Sequence, residues 1–124
     1  MLKYRKQNEM LSDVAAALSA CRETHKTVTL HRRYPCGSLI HFVCQCTHDS
    51  KIHGRIEFIV CEPRECGTFS VLLKELQQIC ERVTVCSVVN FALVEALRRR
   101  GYATGYANGC APHMVWTVPP LTAT

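Results

Sequence analysis

Residues 68–82 place Leu72, Leu73, Leu76, Ile79 and Cys80 on one side of a helical repeat and Lys74, Glu75, Gln77, Gln78 and Glu81 on the other. An amphipathic helix of this kind has to bury its apolar stripe against another layer. The chain around it has a different period. Residues 39–47 and 55–61 are rich in β-branched and aromatic side chains and are joined by the polar stretch 48–54, which reads as a hairpin, and Pro63 stops the second run. Residues 83–89 are nearly all apolar, as expected of a strand covered on both faces. A clear helix set between strands constrains the chain to an α/β layer arrangement.

The remaining segments extend that order. Residues 3–6 read as a short first strand, ended by Gln7, Asn8 and Glu9. Leu11, Val14, Ala15, Leu18 and Cys21 recur at helical spacing, giving a helix over 10–21. Residues 27–30 are Thr- and Val-dominated and read as a strand, and Pro35-Cys36-Gly37 signals a turn. Asn90 is a suitable N-cap for a helix over 91–100, Arg98, Arg99 and Arg100 favour the negative end of its dipole, and Gly101 closes it. Residues 102–106 and 114–118 read as a closing pair of strands. The order is therefore β-α-β-β-β-α-β-α-β-β, a mixed α/β layer fold with a single mixed, mostly antiparallel sheet flanked by helices. A chain of 124 residues has room for one such core, so residues 1–124 are expected to form one domain.

With 48% hydrophobic and 20% charged residues, the balance is that of a globular chain and not of a disordered one. The longest apolar stretch, 87–97, is interrupted by Asn90 and Glu95 and is too short to span a bilayer. Lys3, Arg5 and Lys6 lead into Gln7, Asn8 and Glu9 instead of a hydrophobic run, so no signal peptide is expected. Nine cysteines cannot all pair within one chain, and Cys21, Cys44, Cys61, Cys80 and Cys86 lie in apolar stretches. They read as reduced, small hydrophobes of a cytoplasmic protein. His41, Cys44, Cys46, His48 and His53 suggest zinc, but residues two apart on a strand are separated by ~6.6 Å and Cys44 and His48 by twice that, so no metal is expected. A net charge of +5, clustered at 3–6, 31–33 and 98–100, suits an anionic ligand, either a phosphate-bearing cofactor or nucleic acid. The absence of a stacking motif around Trp116 or the tyrosines disfavours nucleic acid, and Trp116 reads as sheet core.

The segment NFALVEALRRRGY resembles the GNAT family (GCN5-related N-acetyltransferases), in which an Asn at a helix start, here Asn90, is followed at this spacing by Gly and an aromatic residue, here Gly101-Tyr102. The strand RIEFIVCEP, its loop and the helix TFSVLLKELQQIC look like the family's acyl-CoA-holding strand and helix. The resemblance covers residues 39–118. It implies a GNAT-like fold and an N-acyltransferase that moves an acetyl group from acetyl-CoA to an amine acceptor. Pantetheine amides would pair with the backbone around Val60 and Cys61 where two neighbouring strands splay apart. Arg64, Glu65, Cys66, Gly67 and Thr68 would hold pyrophosphate at a helix N-terminus, where unpaired N–H groups meet the positive end of the dipole. Asn90 would help order the site. Glu57 would act as base, directly or through water, and Tyr102 is a candidate acid for the thiolate. Strand alternation groups Glu57 with Ile59 and Cys61, opposite Ile56, Phe58 and Val60. Phe69 stands where the family's loop ends in Gly or Ala, and Leu97 where many relatives carry a tyrosine acid. A second expectation therefore stays open, a catalytically inactive GNAT-fold structural or interaction protein such as those of viral or phage particles. A homo-oligomer is compatible with both.

Overall fold

The first helix is longer than its apolar repeat suggests. In a computed structural model, which describes residues 2–61, 67–86, 88, 91–105 and 113–119, α1 runs over Leu2–Thr24 and takes in the segment read above as a first strand. Leu, Lys, Arg, Gln, Glu and Met are all good helix formers, and neither Gly nor Pro interrupts them, so the polar residues 7–9 continue the helix instead of ending it. Its buried stripe is Met10, Val14, Ala17, Leu18 and Cys21, while Ala15 faces solvent.

The strands β1 (Val28–Arg33), β2 (Leu39–Cys46), β3 (Ile52–Val60), β4 (Arg82–Val85), β5 (Ala103–Gly105) and β6 (His113–Thr117) form one six-stranded sheet in the order β1-β2-β3-β4-β6-β5. Only β3 and β4 pair in parallel; all other neighbours are antiparallel. The parallel pair is connected by α2 (Thr68–Ile79), and α3 (Phe91–Arg99) leads from β4 to β5. The mixed, mostly antiparallel α/β layer read from the sequence is the observed architecture, without the first strand.

Alternation divides the sheet into a covered and an open face. Ile40, Phe42, Cys44, Ile52, Ile56, Val83, Val85, Met114 and Trp116 are buried on the first. α1 and the C-terminal end of α2 pack on that side. The Cys44 thiol donates to the Ala17 carbonyl of α1 at 3.5 Å. Cys80, which caps the C-terminus of α2, sits against Gly54 of β3, and Gly101 after α3 lies beside the Trp116 ring. On the other face Thr29, His31, Arg33, Gln45, Arg55 and Arg82 are exposed, and His41, Val43, His53, Thr84 and Val115 are half-buried. His31 and His41 stack there with ring centroids 4.8 Å apart. The run 83–89 read as a strand covered on both sides is thus a short strand covered on one. Val83 and Val85 enter the core, Arg82 and Thr84 point away from it, and the apolar residue Val88 is buried beyond the strand's end.

α1 is held to the sheet edge by a polar clasp. Asp13 accepts hydrogen bonds from the Tyr34 hydroxyl and from Arg32 Nη1, both at 2.7 Å, and the Arg32 guanidinium lies 4.6 Å from the Tyr34 ring centroid. Tyr34 is almost wholly buried, so its hydroxyl needs such a partner. No described helix is long and apolar enough to cross a membrane.

Candidate functional site

The end of β3 departs from the regular ladder at Glu57. Phe42 of β2 faces Ile56 and His41 faces Phe58, so Glu57 is an extra residue, a β-bulge. The bulge resets the alternation. Ile59 turns to the covered face opposite Ile40, while Phe58 and Val60 pair with His41 and Leu39 on the open face, where Phe58 is 53% exposed. Strand alternation therefore mis-assigns this segment, because Ile56 and Phe58 do not share a face and a bulge leaves no mark in the period.

On its other edge β3 loses its partner at the same place. The parallel ladder with β4 stops at Ile56 and Val85, closed by the Cys86 N–H donating to the Ile56 carbonyl at 2.9 Å. Among the described residues, 57–60 have no ladder partner on the β4 side, which is the kind of edge that a ligand with amides of its own can pair with. Glu57 sits at the start of this unpaired stretch. Its carboxylate accepts from the Arg55 guanidinium, and its side chain is 27% exposed.

The loop that follows ends on α2. Gly67 is the N-cap residue, with φ +81°, a conformation that glycine adopts without strain. It has no side chain to cap the helix, and α2 carries no acidic residue in its first turn, so nothing of that kind competes with an anion for the first amides. A Cβ at Gly67 would meet no described atom within 4 Å. The Phe69 side chain packs against the hydrophobic core. Arg100, after α3, donates from Nη2 to the Ser70 Oγ at 2.7 Å and so brings a cation to the first turn of α2. Sequence reasoning missed this role, because the contact spans thirty residues and Arg100 reads locally as one of three arginines at a helix end.

Glu57 and Val60 thus lie along the end of β3 and Cys61 directly after it, with Gly67 and Thr68 at the start of α2. Arg64, Glu65, Cys66 and Asn90 lie outside the described residues. Tyr102 is placed in the core at 3% exposure, its N–H donating to the Leu97 carbonyl at 3.0 Å. Its hydroxyl has no hydrogen-bond partner among the described residues, and burial raises its pKa, so it holds its proton. Leu97 is fully buried.

Of the residues that suggested zinc, Cys44 is on the covered face and His41 and His53 are on the open one, which prevents convergence on one ion. Among the described residues no three His, Cys, Asp or Glu side chains could hold a metal. Cys21, Cys44, Cys46 and Cys80 are free thiols. Burial pushes the pKa of Cys44 and of Cys80 up to about 12.

No protein-family profile matches the chain, and no curated protein matches it. Among solved structures, a NatC complex bound to Gag peptide and CoA contains a chain 13% identical to this one, with a TM-score of 0.46. The match covers 66% of this chain and 61% of that one. A protein from Klebsiella pneumoniae subsp. pneumoniae MGH 78578, assigned as an acyl-CoA N-acyltransferase, is 19% identical with a TM-score of 0.46 over 83% of this chain and 86% of its own. Likenesses at this level decide neither family nor chemistry.

Proposed function

We propose that the chain is a GNAT-fold N-acyltransferase that moves an acetyl group from acetyl-CoA to an amine. The observation that carries this reading is the end of β3, bulged at Glu57 and, among the described residues, without a ladder partner toward β4, one loop before a helix whose first turn carries no acidic residue. The pantetheine amides would bond the backbone of 57–60, next to Cys61. The pyrophosphate would take the first amides of α2 and the charge of Arg100, with Arg64, Glu65, Cys66, Gly67 and Thr68 forming the loop and Asn90 ordering the site. With the thioester held there, the amine nitrogen attacks its carbonyl carbon, Glu57 accepts the amine's proton directly or through water, and CoA leaves as a thiolate that an acid protonates. Tyr102 is proposed for that last step, which requires its buried hydroxyl to become accessible to the thiolate. The acceptor is an amine of unspecified class, and the setting is cytoplasmic.

Calorimetry with acetyl-CoA on folded protein tests the cofactor. Saturable binding supports the reading, and no heat at millimolar ligand removes it. Release of CoA thiol across an amine panel tests turnover. Glu57→Gln should leave acetyl-CoA affinity unchanged while lowering turnover by ~10²–10⁴-fold, the usual contribution of a positioned base.

The sealed Tyr102 hydroxyl and the fully buried Leu97 favour a second reading, in which the same architecture serves as a binding or structural module without catalysis. That reading expects no thiol release with any amine, and a stable oligomer or partner complex.

A further inference from the structure

Acyl transfer at the far end of β3 leaves the open face of the sheet unused, and that face concentrates positive charge. Two adjacent cross-strand rows lie side by side there. Gln45, His53, Arg82 and Thr117 form one across β2, β3, β4 and β6, and Val43, Arg55, Thr84 and Val115 form the next. A pocket of about 160 Å³ opens between the rows, lined by Val43, Gln45, His53, Arg55, Arg82 and Thr84 with Gly54 at its floor. No carboxylate lines it. Two guanidinium groups thus lie in adjacent rows, with Arg82 directly opposite His53 and Arg55 in the neighbouring row. Glu57 reaches Arg55, but among the described residues no carboxylate lies within ion-pair distance of Arg82.

We propose that this pocket is a binding site for a phosphate group, with Arg82 and Arg55 as the charged donors and Gln45, Thr84 and the His53 ring as the neutral ones. The chemistry fits at each position. Guanidinium forks match two oxygens of a tetrahedral oxyanion, and the amide, hydroxyl and imidazole N–H can donate to the others. The volume is below the ~300–1,000 Å³ of sites that enclose a whole organic ligand, so the pocket suits one phosphoryl group with its substituent directed outward. The site does not depend on acyl-CoA binding, which would use residues 57–61 and the start of α2. His53 reports on it. Burial first, and the nearby Arg82 charge second, lower its pKa, with the Lys51 charge acting in the same direction and Glu81 and Asp49 opposing. A bound dianion would reverse the effect of Arg82 and raise the His53 pKa.

The test is an NMR titration of the His53 ring protons with inorganic phosphate at constant ionic strength. The expected result is saturable binding with an upward shift of the His53 pKa, at least about tenfold weaker in Arg82→Gln, as loss of a charge-assisted hydrogen bond implies. Arg82 is exposed and its replacement leaves the core intact; Arg99→Gln, an exposed change on α3 away from the pocket, should bind as the parent does. Absence of saturation at millimolar phosphate, or equal binding by Arg82→Gln, overturns the proposal. So does phosphate that acetyl-CoA displaces with no effect of Arg82→Gln, since that places the anion at α2. Two further probes identify the source of the phosphate once the site is established. Tighter binding of a small phosphomonoester marks a metabolite site, whereas tighter, steeply salt-dependent binding of a short single-stranded oligonucleotide marks a nucleic-acid backbone.

Discussion

Substitution of Gly54 by alanine should destabilise the protein, although a glycine in mid-strand ordinarily gains from it. A Cβ built at Gly54 falls 3.2 Å from the Cys80 Sγ and 3.2 and 3.3 Å from Cε1 and Cζ of Phe42. Carbon contacts are most favourable at ~3.5–4.0 Å, so each neighbour has to give by several tenths of an ångström. Neither gives readily. The Phe42 ring and the Cys80 side chain are both buried in the packed core, with 0% and 2% exposure. Overpacking of this kind costs ~1–3 kcal/mol, against ~0.4–1 kcal/mol gained by restricting the unfolded chain. The net loss is therefore about 0–2.6 kcal/mol, centred on ~1.3 kcal/mol, seen as a lower urea midpoint at unchanged slope. Cys80→Ala in the same chain removes the sulfur that the methyl group meets, so the two changes should couple favourably by at least ~0.5 kcal/mol in a double-mutant cycle. Equal or greater stability of Gly54→Ala, or strict additivity with Cys80→Ala, would refute the close packing of α2's end on β3.

Other perturbations test the core and the site. Tyr34→Phe removes one of the two donors on Asp13 and should cost about 1–2 kcal/mol in chemical unfolding. Tyr102→Phe deletes a buried hydroxyl with no described partner and should leave stability unchanged or raise it by up to ~1 kcal/mol; any fall in turnover would then report its chemistry and not its packing. Burial holds the Cys44 and Cys80 thiols protonated to about 12, whereas in the unfolded chain they ionise near 9.0. Their stabilisation is full below about 9 and is lost as pH rises toward about 12, because there the unfolded chain has released protons that the folded one keeps. The slope is at most ~1.4 kcal/mol per pH unit per thiol. Urea unfolding across that window should show the loss, and a flat profile would contradict it.

The sequence made the elements legible where a single period governed them. The stripe of α2, the hairpin of β2 and β3, and Gly101, found at φ +93° after α3, are all read correctly from local residues. Boundaries failed where propensity and pattern disagreed: residues 2–9 lack an apolar stripe yet extend α1, and the apolar run 83–89 outlasts β4. The candidate site was legible in part. Glu57 and Gly67 stand out in the chain, but the bulge at Glu57, the end of the β3–β4 ladder and the reach of Arg100 to Ser70 depend on register and on distant packing. The open face was hidden for the same reason, since alternation separates two faces without telling which one the helices cover. Only register sets His53, Arg55 and Arg82 side by side.

The most direct measurement is a backbone amide titration by NMR with CoA added to folded protein. Saturable shifts centred on residues 57–61 and 67–70, together with Arg100, are the predicted result. Saturable shifts confined to the open face around His53, Arg55 and Arg82, or no shifts at millimolar CoA, would contradict the placement of an acyl carrier at the unpaired end of β3.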